Sequence, residues 1–155
     1  MSGIIGMVAD SDVAYDLGCG TTAQNYLGDD KCDMTVLSGG KLKTVSGSGP
    51  ALSVFGSLDL SKYSGKIGIA HNSYRLDSEQ PFRLKINGLE IAVCIDADKK
   101  VMDEIVTAIV ACKNLRDGVR NSLRKIKDPF SLVAISNKEE LIAARNNGRK
   151  PLEGS

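Results

Sequence analysis

The chain lacks an excess of charge of either sign. Its 20 basic and 19 acidic residues leave a formal net charge of +1. That balance speaks against a dedicated nucleic-acid or membrane-surface protein, which would carry a basic face. Long hydrophobic runs are also missing: none approaches the ~20 apolar residues that a membrane span requires. Thiol and imidazole chemistry is thin. Cys19, Cys32, Cys94 and Cys112 form no C-x-x-C pair, and the only histidine, His71, is remote from all four. A zinc site or a disulfide framework is therefore not expected, and reduced thiols in a cytoplasmic protein without metal or cofactor are. No signal peptide is expected either, because "MSGIIGMV" has no basic lead and its apolar run is too short. With no internal repeat, low-complexity segment or long linker, residues 1–155 are expected to form one domain with one real core.

What is present alternates between two periods. Ile4, Ile5, Met7 and Val8 read as a buried strand that starts almost at the terminus, with Ser2 at its mouth. Gly3 and Gly6 would let a second sheet approach it. Asp10, Ser11 or Asp12 offers a cap for a helix over Val13, Ala14 and Leu17, which Gly18 and Gly20 would end or bend. Met34, Val36, Leu42 and Val45 flank Ser38-Gly39-Gly40 as a hairpin, and a short helix and a loop follow through Tyr63. Ile67, Ile69 and Ala70 mark another strand, and Asn87-Gly88 turns a second hairpin.

The next segments have helical spacing. Val101, Met102, Ile105, Ile109 and Cys112 recur every three or four residues, as do Leu115, Val119, Leu123 and Ile126. The last two strands, "FSLVAIS" and "LIAAR", surround Asn137-Lys138-Glu139. Hairpins imply antiparallel sheets, and the helices need sheet faces to cover. The reading is α+β, in layers.

In that order the segments resemble a known family. "SGIIGMV" is similar to the C-G-I-V-G-I opening of the class II glutamine amidotransferases, which belong to the N-terminal-nucleophile (Ntn) hydrolases. The resemblance is closest to the glutaminase domain of amidophosphoribosyltransferase. "GKIGIAHNSYRLDSEQPF" resembles that family's G-H-V-R-Y-S-T…N-A-Q-P-F segment and keeps Gly68, His71, Tyr74, Gln80, Pro81 and Phe82. "FSLVAIS…LIAARNNGRKPL" is similar to its S-L-V…L-I-A-x-R-D-P-x-G-x-R-P-L close. The fold this implies is a four-layer αββα sandwich of Ntn-hydrolase type.

The resemblance also assigns roles. The family nucleophile is a terminal cysteine, and the matching residue is Ser2, a candidate nucleophile only if Met1 is removed. A free α-amine, with a pKa of roughly 7.7–8.0, could then act as its base. Where the family places the Asn and Gly of its oxyanion hole, this chain has Cys94 and Ile95. Losing one such donor costs ~10²–10³ in turnover. The arginine that holds the substrate carboxylate is replaced by Ser73, and Arg75, two residues along the strand, is its candidate substitute. Asp98 matches the aspartate that receives the substrate amine, Leu27 stands in place of a second arginine, and Gly28 is kept. His71 reads as structural.

These replacements have one direction: positions that shape the fold are kept, and those that handle glutamine are changed. The expected protein is a glutamine amidotransferase-like domain without glutaminase activity, acting as a binding, regulatory or assembly subunit. Its partners would be a second copy of itself or a separate partner chain, with neither nucleic acid nor membrane involved. The alternative is an Ntn amidohydrolase that uses Ser2 on an amide.

Overall fold

The computed structural model describes residues 2–76 and 78–146. Within them the elements run β1 (Ser2–Val8), α1 (Ala14–Ala23), β2 (Lys31–Ser38), β3 (Lys41–Ser48), α2 (Ala51–Phe55), β4 (Ile67–Ser73), β5 (Phe82–Ile86), β6 (Leu89–Asp96), α3 (Lys99–Cys112), α4 (Leu115–Lys125), β7 (Phe130–Ser136) and β8 (Glu140–Asn146). The turns follow from local chemistry. Gly39 and Gly40 at φ 60° and 78°, and Asn87 and Gly88 at φ 48° and 84°, supply the two positive dihedrals that a tight hairpin needs. Lys113, at φ 56°, ends α3, and Asn114 caps α4 by accepting from the Asp117 amide at 2.8 Å.

Two antiparallel sheets result, ordered β1-β4-β2-β3 and β5-β6-β7-β8. The hydrophobic side chains sort into three layers. Val13, Leu17 and Phe55 of α1 and α2 meet Met34 and Val36 on the outside of the first sheet. Ile105, Ile109, Leu115 and Val119 of α3 and α4 meet Ile91, Val93, Ile95 and Leu132 on the outside of the second. Between the sheets, Ile4 and Ile69 pack against Ala92, Cys94, Val133 and Ile135. Three apolar layers require four structural ones, so the architecture is the αββα sandwich. The run "IAVCI" has no polar alternation because β6 is buried on both faces. Burying each such Ile or Val stabilises by roughly 1.5–3 kcal/mol.

Four local expectations are corrected. Helix α1 begins from Val13 with no side-chain cap, and Asp12 instead accepts from the Ser64 hydroxyl at 2.9 Å. Gly18 and Gly20 lie inside α1 rather than at its end. A Cβ at position 20 would come within 2.5 Å of Ile5 Cδ1, so Gly20 serves the close approach of α1 to β1. Leu123 is exposed, because the buried stripe of α4 runs through Leu115, Gly118, Val119 and Ser122 and turns it outward. Gly6 does face the second sheet, with Leu141 and Val133 next to it, whereas Gly3 faces Asn72 and Gln24 on the helix side. Among the described residues no helix is long and apolar enough to cross a membrane. The fate of Met1 and the 147–152 part of the closing motif lie outside the described residues.

Candidate functional site at the end of the inter-sheet layer

Strand alternation decides which side chains look into the space between the sheets. On β1 the inward series is Ser2 and Ile4, and on β4 it is Ile69, His71 and Ser73. On β2, Cys32 and Met34 pack outward against the helices, so Asp33 points inward. On β6 the inward series ends in Cys94 and Asp96. The β1, β4 and β6 series turn from apolar to polar toward one end. There the sheets open on a cavity of about 400 Å³ lined by Ser2, His71, Ser73, Arg75, Asp96 and Asp98, among others. The three residues assigned by resemblance, Ser2, Arg75 and Asp98, thus border one cavity.

Their settings differ. Ser2 is 9% exposed, and its backbone nitrogen donates to Asp96 Oδ1 at 3.3 Å. Asp96 is itself 5% exposed and ends β6. Arg75 does not lie on the strand, as its spacing from Ser73 suggested: β4 stops at Ser73, whose hydroxyl accepts from the Arg75 amide at 3.0 Å. The exposed Arg75 reaches the cavity from the turn beyond. Asp98 occupies the N-cap position of α3 but makes no capping hydrogen bond to that helix.

The oxyanion positions read from sequence are differently engaged. The Ile95 amide donates to Gln80 Oε1 at 2.6 Å, and its carbonyl accepts from Gln80 Nε2 at 2.7 Å, so the Gln80 side chain clamps both backbone groups. Cys94 is buried in the inter-sheet layer. Burial, and next the charge of Asp33, push its thiol pKa well up. Leu27 is buried. Gly28 sits at φ 152° against the end of β4, where a Cβ would come within 2.3 Å of the Ser73 backbone.

Asp33 and Asp96 were missed by sequence reasoning. Asp33 lies directly opposite His71 in the β2–β4 register, with Oδ2 3.3 Å from His71 Nδ1. Neither side chain is more than 1% exposed. Lys31 Nζ lies 4.0 Å from the other carboxylate oxygen. The available signal was a carboxylate within the apolar strand "KCDMTVL", since aspartate is depleted in strands. Among the described residues no His/Cys/Asp/Glu group is arranged to hold a metal ion.

No family model matches the chain, and no curated protein matches its sequence. Solved structures do. The chain superposes on a structure described as the allosteric regulatory enzyme of purine biosynthesis with a TM-score of 0.79, 18% identity and 94% of this chain covered. It superposes on the glutamine phosphoribosylpyrophosphate amidotransferase of B. subtilis, complexed with ADP and GMP, with a TM-score of 0.71, again at 18% identity over 94% of the chain. The chain has the Ntn-hydrolase fold. It spans 37% of the length of each of these structures, and at this identity the likeness is one of fold.

Proposed function

We propose that the chain is a glutamine amidotransferase-like domain that does not release ammonia from glutamine and acts by binding, as a regulatory or assembly subunit. The observation that carries this reading is the engagement of the Ile95 amide by Gln80 at 2.6 Å, with Cys94 packed between the sheets beside it. At the positions where the resemblance calls for two oxyanion donors, one amide is committed and one side chain is a buried thiol, a weak donor. A tetrahedral intermediate formed there would lack the stabilisation that supplies ~2.7–4 kcal/mol per donor. Incubating the full chain with glutamine and following ammonia with a coupled dehydrogenase tests it. Release no faster than a heat-denatured control is expected, and steady turnover would refute it.

An assembly role needs a surface, and the outward face of α4 offers a basic one. Arg116, Arg120 and Arg124 recur there and are exposed. Arg120 is 3.9 Å from Asp117 in an exposed pair worth little to stability. A partner for this face is acidic, and its association weakens as salt rises. Reversing Arg120 and Arg124 to Glu should abolish that salt dependence in sedimentation or pull-down experiments. Assembly indifferent to both the variant and salt would leave the face as ordinary solvated surface.

A second reading, an Ntn amidohydrolase using Ser2, is favoured by one observation. The Ser2 main-chain nitrogen faces the buried Asp96 carboxylate at the cavity, where a terminal amine would be held if Met1 were removed. The N-terminal mass discriminates: retained Met1 leaves this nitrogen an amide, which cannot act as a base.

A further inference from the structure

The most unusual group in the cavity wall is one that neither reading uses. His71 is 1% exposed, and its Nδ1 faces Asp33 Oδ2 at 3.3 Å. A carboxylate only accepts, so Nδ1 carries a proton, and in the neutral imidazole Nε2 then presents its lone pair. That Nε2, on the opposite side of the ring from Asp33, is buried without a hydrogen-bond partner. A polar atom so placed is costly to leave unsatisfied and calls for a role. His71 lines the cavity, as does Ser2.

The strand register places a hydroxyl beside it. Asp33 on β2 is opposite His71 on β4, and Ser2 on β1 is opposite Ser73, two residues further along β4. All four side chains are on the inward face. Asp33, His71 and Ser2 therefore run diagonally across three adjacent strands, and diagonal neighbours of this kind lie ~7–8 Å apart at their Cα atoms. No hydrogen bond joins Nε2 to the Ser2 hydroxyl in the structure, so the two must close that gap when substrate binds. Catalytic hydrogen bonds are often loose before substrate is bound.

We infer that Asp33, His71 and Ser2 form a serine-nucleophile relay in which His71, and not the chain's own terminal amine, is the base. The inference goes beyond the non-glutaminase reading and rests on the second reading's premise that Ser2 is a nucleophile. It removes that reading's dependence on Met1. The substrate class is a small carboxylic ester or activated acyl compound that fits a cavity of about 400 Å³. Ser2 Oγ bonds to the acyl carbon as its proton passes to His71 Nε2. The bond from carbon to the leaving oxygen breaks, and Nε2 returns the proton to that oxygen. Water then gives a proton to Nε2 and its hydroxide to the acyl carbon, and Ser2 leaves as it regains the proton. Asp33 holds the tautomer and faces the imidazolium when it forms.

The test uses a fluorophosphonate, which phosphonylates an activated serine with loss of fluoride. It is applied to the full chain with Met1 retained and with Met1 removed, and the adduct is located by tandem mass spectrometry. Labelling on Ser2 in both forms is expected, slowed about 10²–10⁴-fold in His71→Gln and also slowed in Asp33→Asn. Ser73→Ala should keep the adduct on Ser2. Labelling of Ser2 only in the Met1-free form, unchanged by His71→Gln, overturns His71 as base while keeping Ser2 as nucleophile. No labelling in either form overturns both. Should His71→Gln fail to fold, the wild-type protein decides. His71 is the only histidine, so its imidazole nitrogen signals are unique in a spectrum. Loading Ser2 should shift the Nε2 signal, and an unmoved imidazole contradicts the relay.

Discussion

The two ends of the inter-sheet layer are built from the same strands and filled in opposite ways. At one end Ile4, Ile69, Val133, Ile135 and Leu141 interlock, and the buried Thr35 hydroxyl is paired with that of Thr44 at 2.8 Å. At the other, two steps along the same strands, Ser2, Asp33, His71, Ser73 and Asp96 stand in the equivalent inward positions and are all buried. The backbone ladder is continuous from one end to the other, with seven paired residues between β1 and β4. Strand pairing therefore does not require the polar end. The polar residues shape a cavity, while the apolar residues supply the cohesion between the sheets. This separation is how a fold can be retained while the chemistry at its edge changes.

The sharpest way to break the comparison is to remove one member of the buried pair. His71→Leu removes the imidazole partner of a buried carboxylate that keeps only Lys31 at 4.0 Å, and about 3 kcal/mol of stability should be lost in urea denaturation. The double variant Asp33→Leu/His71→Leu makes the polar end resemble the apolar one and should recover most of that loss. A double variant as unstable as the single one would mean that shape, and not charge, governs this end.

A smaller effect is expected at the apolar end. Gly6 Cα faces Leu141 and Val133, and a Cβ there would come within 3.3 Å of Leu141 Cδ1, the far end of a side chain that can shift. Gly6→Val should cost about 1–3 kcal/mol through overpacking, seen as a lower Tm. Gly3→Ala should lie at the upper end of that range. Its Cβ would come within 2.1 Å of Asn72 Oδ1, and Asn72 is held by two hydrogen bonds of 2.7 Å to the Gln24 and Gly28 carbonyls. An unchanged Tm in Gly3→Ala would contradict the close approach of Asn72 to Gly3.

A further effect concerns pH. Burial, and then the charge of Asp33, push the Cys32 thiol from its ordinary 9.0 up to about 12. Between those values the folded chain keeps a proton that the unfolded chain has lost, so stability falls as pH rises through this window. Removing the thiol in Cys32→Ala should flatten the fall, read from denaturation midpoints at both ends of the window. An unchanged slope would mean that Cys32 ionises freely in the folded state.

The sequence carried most of the fold because its signals were local. The Asn87-Gly88 turn, the spacing of Val101, Ile105 and Ile109, and the two-sided burial of "IAVCI" each constrain an element without reference to the others. Placing β4 between β1 and β2 is a matter of nonlocal pairing, which periodicity does not carry. The candidate site was legible only in part. Ser2, Arg75 and Asp98 came from matched positions and do border one cavity. Asp33 and Asp96 matched no motif, and their meaning rests on register: a shift of one residue would have turned Asp33 toward the helices. The engagement of Ile95 by Gln80, 15 residues away in sequence, was equally invisible.

The most direct test of the central claim gives the chain the nucleophile that the glutaminase reading requires. Ser2→Cys is prepared with Met1 removed, so that a thiol and a free α-amine stand together, and ammonia release from glutamine is measured at saturating substrate. The account predicts release indistinguishable from wild type and from background, because Gln80 still engages the Ile95 amide and Cys94 remains buried. Clear catalytic release of ammonia by that variant would contradict it, since the rest of the glutamine site would then have to be intact.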